Sequence, residues 1–175
     1  MSASGFADYL PRQGAAHPSR ARVAIRPAMP ADIPAMLDVQ KASGRAVPAG
    51  EALARTVHDD ARLVVVAETD GGVVGWGKTH FWPESDGTAP SGHYLGGVTV
   101  DPMWRRRGIG AALTQARLEW IWQRAADAWY VVNVANRASI VLHSRWGFVE
   151  TARAPRFHTT EFTGGVGLLM RASRP

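Results

Sequence analysis

Apolar residues recur along this chain with two different periods, and each switch of period marks a new element. Val23-Ala24-Ile25-Arg26-Pro27 reads as a short strand, and Pro30-Ala31-Asp32-Ile33 opens a helix whose Ile33, Met36 and Leu37 fall at helical spacing. A second helix is predicted from Ala49 to His58. The β-branched run Arg62 to Glu68, the turn Thr69-Asp70-Gly71-Gly72 and the run Val73 to Phe81 form a hairpin. Trp82 to Pro90 is rich in breakers and reads as a loop, and His93 to Val100 is the next strand. The longest helical pattern runs from Gly108 to about Ala126, with Ile109, Leu113, Ala116, Trp120 and Ile121 along one side. Trp129 to Val134, Phe148 to Ala152 and Val166 to Arg171 are strands, and Ala138 to Arg145 is a short helix. Hairpin strands followed by alternating helices and strands predict an α+β fold, a mixed sheet with helices on its faces.

Length and composition narrow the class. A chain of 175 residues is one domain with a proper core. Residues 1–21 mix Ser, Gly, Pro, Gln and Arg with few periodic apolars and read as a flexible leader, so the domain is expected over 22–175. The leader has no apolar segment of the secretory kind, and no uncharged apolar run is long enough to span a membrane. The chain has no cysteine, which excludes a disulfide framework, a thiolate metal site and a cysteine nucleophile, and leaves the cytoplasm as the natural compartment. Its six histidines, at 17, 58, 80, 93, 143 and 158, show no metal-ligand spacing, so no metal is expected. The formal charge is +5 and nearly all of the positive charge is arginine, Lys41 and Lys78 being the only lysines. Arginine forks suit branched anions, so the bias fits a phosphate-bearing partner as well as it fits solvated surface arginines.

One stretch breaks that tie. In Val98-Thr99-Val100-Asp101-Pro102-Met103-Trp104-Arg105-Arg106-Arg107-Gly108-Ile109-Gly110-Ala111, a strand runs out, Asp-Pro stops it, three arginines arrive and two glycines open the long helix. The first N–H groups of a helix have no intrahelical partner, and the dipole adds about half a positive charge there. Glycines at 108 and 110 let a diphosphate approach the backbone. A dinucleotide fingerprint is excluded because Leu113 stands where its third glycine belongs, and a P-loop because no Gly-Lys-Ser/Thr follows.

The segment Arg105-x-x-Gly108-x-Gly110 after Val-x-Val-Asp-Pro resembles the acyl-CoA-binding motif of the GNAT superfamily of N-acetyltransferases. Asn136 to Phe148, an Asn, a short helix and a closing Gly-Phe, resembles the later block of the same superfamily, and Ile25-Arg26-Pro27-Ala28-x-x-x-Asp32 resembles its opening. The resemblance implies a mostly antiparallel sheet of about six to seven strands, splayed in the middle, with acetyl-CoA as acyl donor. The strand Val98, Thr99, Val100 would bond pantetheine through its backbone. The turn Arg105, Arg106, Arg107, Gly108, Ile109, Gly110, Ala111 would hold the pyrophosphate, with Asn136 and Ser139 as polar contacts across the cofactor. His143 stands where the superfamily often has a tyrosine and would hydrogen-bond the leaving sulfur. The resemblance also admits a homodimer.

The base is open. No acid lies between His93 and Val100, where many members carry a glutamate near the position of Tyr94, which leaves His93, His80 or water held by them. Glu84 and Asp86 in the loop are candidates to attract a cationic amine. The expected reaction is direct attack of an amine, from a small molecule or a peptide, on acetyl-CoA. Two readings compete with it: a catalytically silent CoA-binding or sensing domain, suggested by the missing glutamate, and a basic nucleic-acid-binding module, for which no motif is present.

Overall fold

The structure is a computed structural model that describes residues 22–175. The predicted leader, 1–21, lies outside the described residues. The strands are β1 (Ala24–Pro27), β2 (Val64–Thr69), β3 (Gly72–Trp82), β4 (Gly92–Val100), β5 (Asp127–Asn133), β6 (Val149–Ala154), β7 (Arg156–Phe157), β8 (Thr160–Glu161) and β9 (Gly167–Ser173). The helices are α1 (Ile33–Ala42), α2 (Gly50–Val57), α3 (Ile109–Trp122) and α4 (Arg137–His143). Seven strands form one sheet in the order β1-β2-β3-β4-β5-β9-β6, antiparallel throughout except for β4 and β5, which run parallel.

Period-two alternation sorts the faces. Val64 and Val66 of β2 pack with Met36, Val39 and Leu53 of α1 and α2, whereas Val65 and Ala67 pack with Ile109 and Leu113 of α3. Beyond the sheet's middle, Leu118, Ile121 and Trp122 of α3 share a core with Tyr130, Val132, Phe148, Leu168 and Met170. Helices therefore cover both faces, as the sequence predicts. Among the described residues no helix is long and apolar enough to cross a membrane.

Three details differ from the sequence reading. The long helix stops at Trp122, short of Ala126, and the chain between β4 and α3 makes a short 3-10 turn at Pro102–Trp104, capped by the Asp101 carboxylate on the Met103 N–H at 2.8 Å. A small hairpin, β7 with β8, was not predicted: two-residue strands carry no period to read. It is tied to the end of β3 and the 83–91 loop after it, since Trp82 stacks on His158 with centroids 4.4 Å apart and Arg156 sits 3.5 Å from Asp86.

Candidate active site

The neighbouring strands β4 and β5 are joined at one register point, Tyr94 with Trp129. Past that point the two strands share no ladder, so the sheet opens into a cleft of about 630 Å³ with Leu95 to Val98 on one wall and Tyr130 to Asn133 on the other. A bulge in β4 helps to part them: Gly77 pairs with Val98 and Thr79 with Leu95, so that Lys78 alone faces Gly96 and Gly97. A side chain at 96 would meet His80 Cδ2 at 2.9 Å and the Lys78 carbonyl at 3.0 Å, so the bulge needs a glycine there.

Beyond Val98, the last β4 residue on the cleft lining, the chain turns into α3 with an unusual backbone; Val100 and the turn Arg105 to Ala111 do not line the cleft itself. Arg106 has φ 64° and Gly108, the residue before the helix, has φ 81°. Within the described residues, no backbone N–H from Arg106 to Ala111 has a protein acceptor. Consecutive free N–H groups of this kind, ahead of a 14-residue helix, form a surface of the geometry that suits an anion. Arg105 reaches back to the Val100 carbonyl (Nε to O, 3.3 Å), and the Arg107 guanidinium lies 4.7 Å over the Trp104 ring. Arg106 is exposed. A Cβ on Gly110 would meet only Leu142 Cδ2, at 3.9 Å, which brings the start of α3 close to α4 across the cleft mouth.

The residues named from sequence separate into two groups. Val98, Asn136, Ser139, His143 and His80 all line the cleft. Asn136 caps α4, its side chain accepting the Ser139 N–H at 3.1 Å, and Ser139 Oγ lies 3.3 Å from His143 Nδ1. His143 is 5% exposed, stacked on Tyr130 at 4.4 Å, and burial pushes its pKa down to about 4 against the lesser upward pull of its bond to the Ser139 carbonyl. Burial likewise pushes His80 down to about 4.

The others do not line it. Thr99 points to the opposite face and donates to Gln40 Oε1 of α1 at 2.8 Å. His93 packs against Phe81 and Trp120 on the α3 face, with a buried Nδ1 that has no partner. Tyr94 donates its hydroxyl to the Pro90 carbonyl at 2.6 Å and stands beside His158. Asp86 is held by Arg156, and Glu84 is exposed. Three further residues line the cleft that the sequence reading did not single out: Arg45 after α1, Glu161 of the small hairpin and Phe162 just after it. No motif marks them, because loops and a two-residue strand bring them in.

The splayed sheet, the glycine bulge and the free N–H groups define a class of protein, and comparison places the chain within it. The family model described as acetyltransferase (GNAT) family matches residues 33–148. The chain belongs to the acetyltransferase (GNAT) family, a family of acyl-transferring enzymes. A comparison with curated proteins finds no match. Solved structures share the fold. A ribosomal-protein-alanine N-acetyltransferase from Brucella melitensis is 24% identical at a TM-score of 0.70, over 86% of this chain and 99% of that one. The ribosomal-protein-S18-alanine N-acetyltransferase of Escherichia coli is 20% identical at a TM-score of 0.69, over 87% and 94%. The protein yncA of Salmonella typhimurium, solved with its cofactor acetyl-CoA, is 20% identical at a TM-score of 0.69, over 86% and 93%.

Proposed function

We propose that this protein is an acetyl-CoA-dependent N-acetyltransferase that works in the cytoplasm on a primary amine, by direct attack within a ternary complex. The observation that carries this reading is the cleft itself: two parted strand edges lead from a bulge to a turn whose N–H groups have no protein partner. An extended pantetheine arm suits such an edge, since β4 past the bulge turns backbone groups of Val98 toward the parted edge, whereas the Val100 carbonyl already accepts from Arg105 Nε and Ser43 Oγ. A diphosphate suits the turn from Arg106 to Ala111, where glycines 108 and 110 keep carbon away and the arginines supply charge. The donor, once bound there, supplies a thioester carbon open to attack by an amine.

The protein's own residues bind, orient and handle the proton. His143 Nδ1 lies 2.8 Å from the Ser139 carbonyl oxygen, which can only accept, so in the neutral ring Nδ1 carries the proton and Nε2 is left as an acceptor. The resemblance alone gives His143 a donor's part at the sulfur. The tautomer supports a different one: Nε2 accepts from the N–H of the incoming amine and turns its lone pair toward the thioester. Arg45 and Glu161 at the cleft are of opposite sign, which suits an acceptor carrying both an amine and an acidic group.

Two buried neutral histidines set the expected pH profile. With His80 and His143 both near pKa 4, neither titrates between pH 6 and 7, so the rate should climb with pH along the amine's own deprotonation. His143→Ala should lower the rate by about 100-fold or less and leave the profile's shape unchanged. Release of free CoA across a panel of small amines and peptide N-termini tests the function, and its pH dependence tests the proton's route. A limb near pH 6 to 7 that disappears in His80→Ala or His93→Ala would name a tuned base and contradict this reading. No release with any amine, alongside tight acetyl-CoA binding, would point to the silent CoA-binding domain.

A further inference from the structure

Arg117 lies on the stripe of α3 that holds Leu113 and Ile121 and is fully buried, with 0% of its surface exposed. It has no ion-pair partner among the described residues. Its donors go to neutral oxygens: Nε to the Leu113 carbonyl, Nη1 to the carbonyls of Lys78 and Gly96, and Nη2 to Thr114 Oγ1, each at 3.0 Å. The sheet makes room for it. A Cβ on Gly77 would stand 3.1 Å from both Cζ and Nε, so that glycine is the floor on which the guanidinium rests. These bonds satisfy the donors but leave the charge uncompensated, and an unpaired buried charge is destabilising to hold. Burial pulls its pKa down only to about 9, so the cation persists at neutral pH.

Its position gives that charge a use. Lys78 and Gly96 are the residues that face each other across the bulge, and Gly96 also lines the cleft. The guanidinium therefore sits directly behind the cleft wall, separated from it by one peptide layer. The titratable groups around it are Lys78 and His80 on β3 and His143 on α4, and none of them is an acid. A positive field thus reaches the cleft at the bulge, where no acid pairs with the guanidinium among the described residues; the acid on the cleft lining, Glu161, belongs to the small hairpin and makes no ion pair with Arg117.

We propose that Arg117 is a positioning residue that clamps the β4 bulge through its two carbonyls and supplies the counter-charge for the anionic sulfur produced in the cleft. This rests on the acetyl-transfer reading. In that reaction the amine nitrogen forms a bond to the thioester carbon and the C–S bond breaks with its electron pair going to sulfur. The products are an amide, the CoA thiolate and a proton released from the amine nitrogen to solvent. A fixed cation behind the bulge favours the thiolate, as cations beside cysteine favour its ionised form.

The test compares the affinities of CoA and desulfo-CoA, which lacks the thiol, by calorimetry as pH is raised. In the wild type the ratio of the two should rise about tenfold per pH unit between the bound and free thiol pKa values, and by about tenfold or more in total. In Arg117→Met, alone or with Gly77→Ala to refill the space, the ratio should stay flat, whereas Arg117→Lys should keep the rise. A flat ratio in the wild type, or an unchanged rise in the methionine variant, overturns the assignment and leaves the acetyltransferase reading standing. Failure of the wild type to bind either ligand overturns both. If neither methionine variant folds, Arg117→Lys decides: a lysine keeps the charge without the fork, so loss of the rise in that variant counts against the proposal and its retention supports it.

Discussion

Gly110→Val should erase the stabilisation that acetyl-CoA gives this protein while leaving the free protein folded. The free protein has room for the change, because the nearest atom to a Cβ at 110 is Leu142 Cδ2 at 3.9 Å. Valine is also a slightly better helix residue than glycine, by a few tenths of a kcal/mol, so no loss of stability is expected from propensity. The bound state has no such room. Gly110 is the second residue of α3, where the N–H groups of Arg106 to Ala111 stand free, and a branched side chain there would occupy the space through which a diphosphate reaches them. Loss of those contacts should weaken binding by about 100-fold or more, since each tenfold is about 1.4 kcal/mol. Gly108 would be a poorer test, because its φ of 81° strains any side chain before a ligand arrives. Unchanged acetyl-CoA affinity in Gly110→Val would move the phosphate site away from this helix.

The largest loss of stability away from the cleft is expected at Arg26. Its guanidinium grips both oxygens of Asp32, at 2.7 and 2.9 Å, and both oxygens of Glu68, at 2.8 and 3.1 Å, tying the start of α1 to β1 and β2. Asp32 is 8% exposed, and its other partner is the Met29 N–H at 2.7 Å. Arg26→Met would leave that carboxylate buried with a single donor. Breaking a buried pair in this way costs about 3–5 kcal/mol, and the partial exposure of Arg26 lowers the expectation to about 2–3 kcal/mol. For a domain of this size that is a fall in Tm of about 5–10 °C.

The pH dependence has a definite sign. The Arg26 hydrogen bonds hold Asp32 below its ordinary value of 3.8, so the contribution is fully present above 3.8 and is lost as pH falls from there through the lowered value of the folded protein. The gap between wild type and Arg26→Met should therefore be wide at pH 7 and narrow toward pH 3. Thermal melts at both pH values check this, and equal melting of the two proteins at pH 7 would contradict it.

Much of the fold is legible from local runs: Val64 to Ala67 reads as a strand because it is a short β-branched apolar run, and it is apolar throughout because both faces of β2 are buried, Val64 and Val66 against α1 and Val65 and Ala67 against α3. The turn before α3 is legible because its pattern is local: three arginines and two glycines stand within six positions of one another. His80 and His93 show where local reading stops. They sit on paired strands, but His93 pairs with Phe81 while His80 pairs with Tyr94, which puts the two imidazoles on opposite faces. Only the register decides that. Arg117 is the clearest omission. It falls on the apolar stripe of α3, but a charged residue is ordinarily assigned to solvent. The signal that would have found it lies on another strand, in Gly77, whose missing side chain leaves room for the guanidinium. Arg45 and Glu161 reach the cleft from a loop and a short hairpin, so their place on one cleft lining is a product of the tertiary fold.

The most direct measurement is the melting curve of the wild-type protein with and without acetyl-CoA. At a hundredfold excess over its dissociation constant the donor should add about 2.7 kcal/mol, a rise in Tm of about 5–10 °C, with an adenosine-only fragment doing less. A melting curve that does not move at saturating acetyl-CoA would contradict the account.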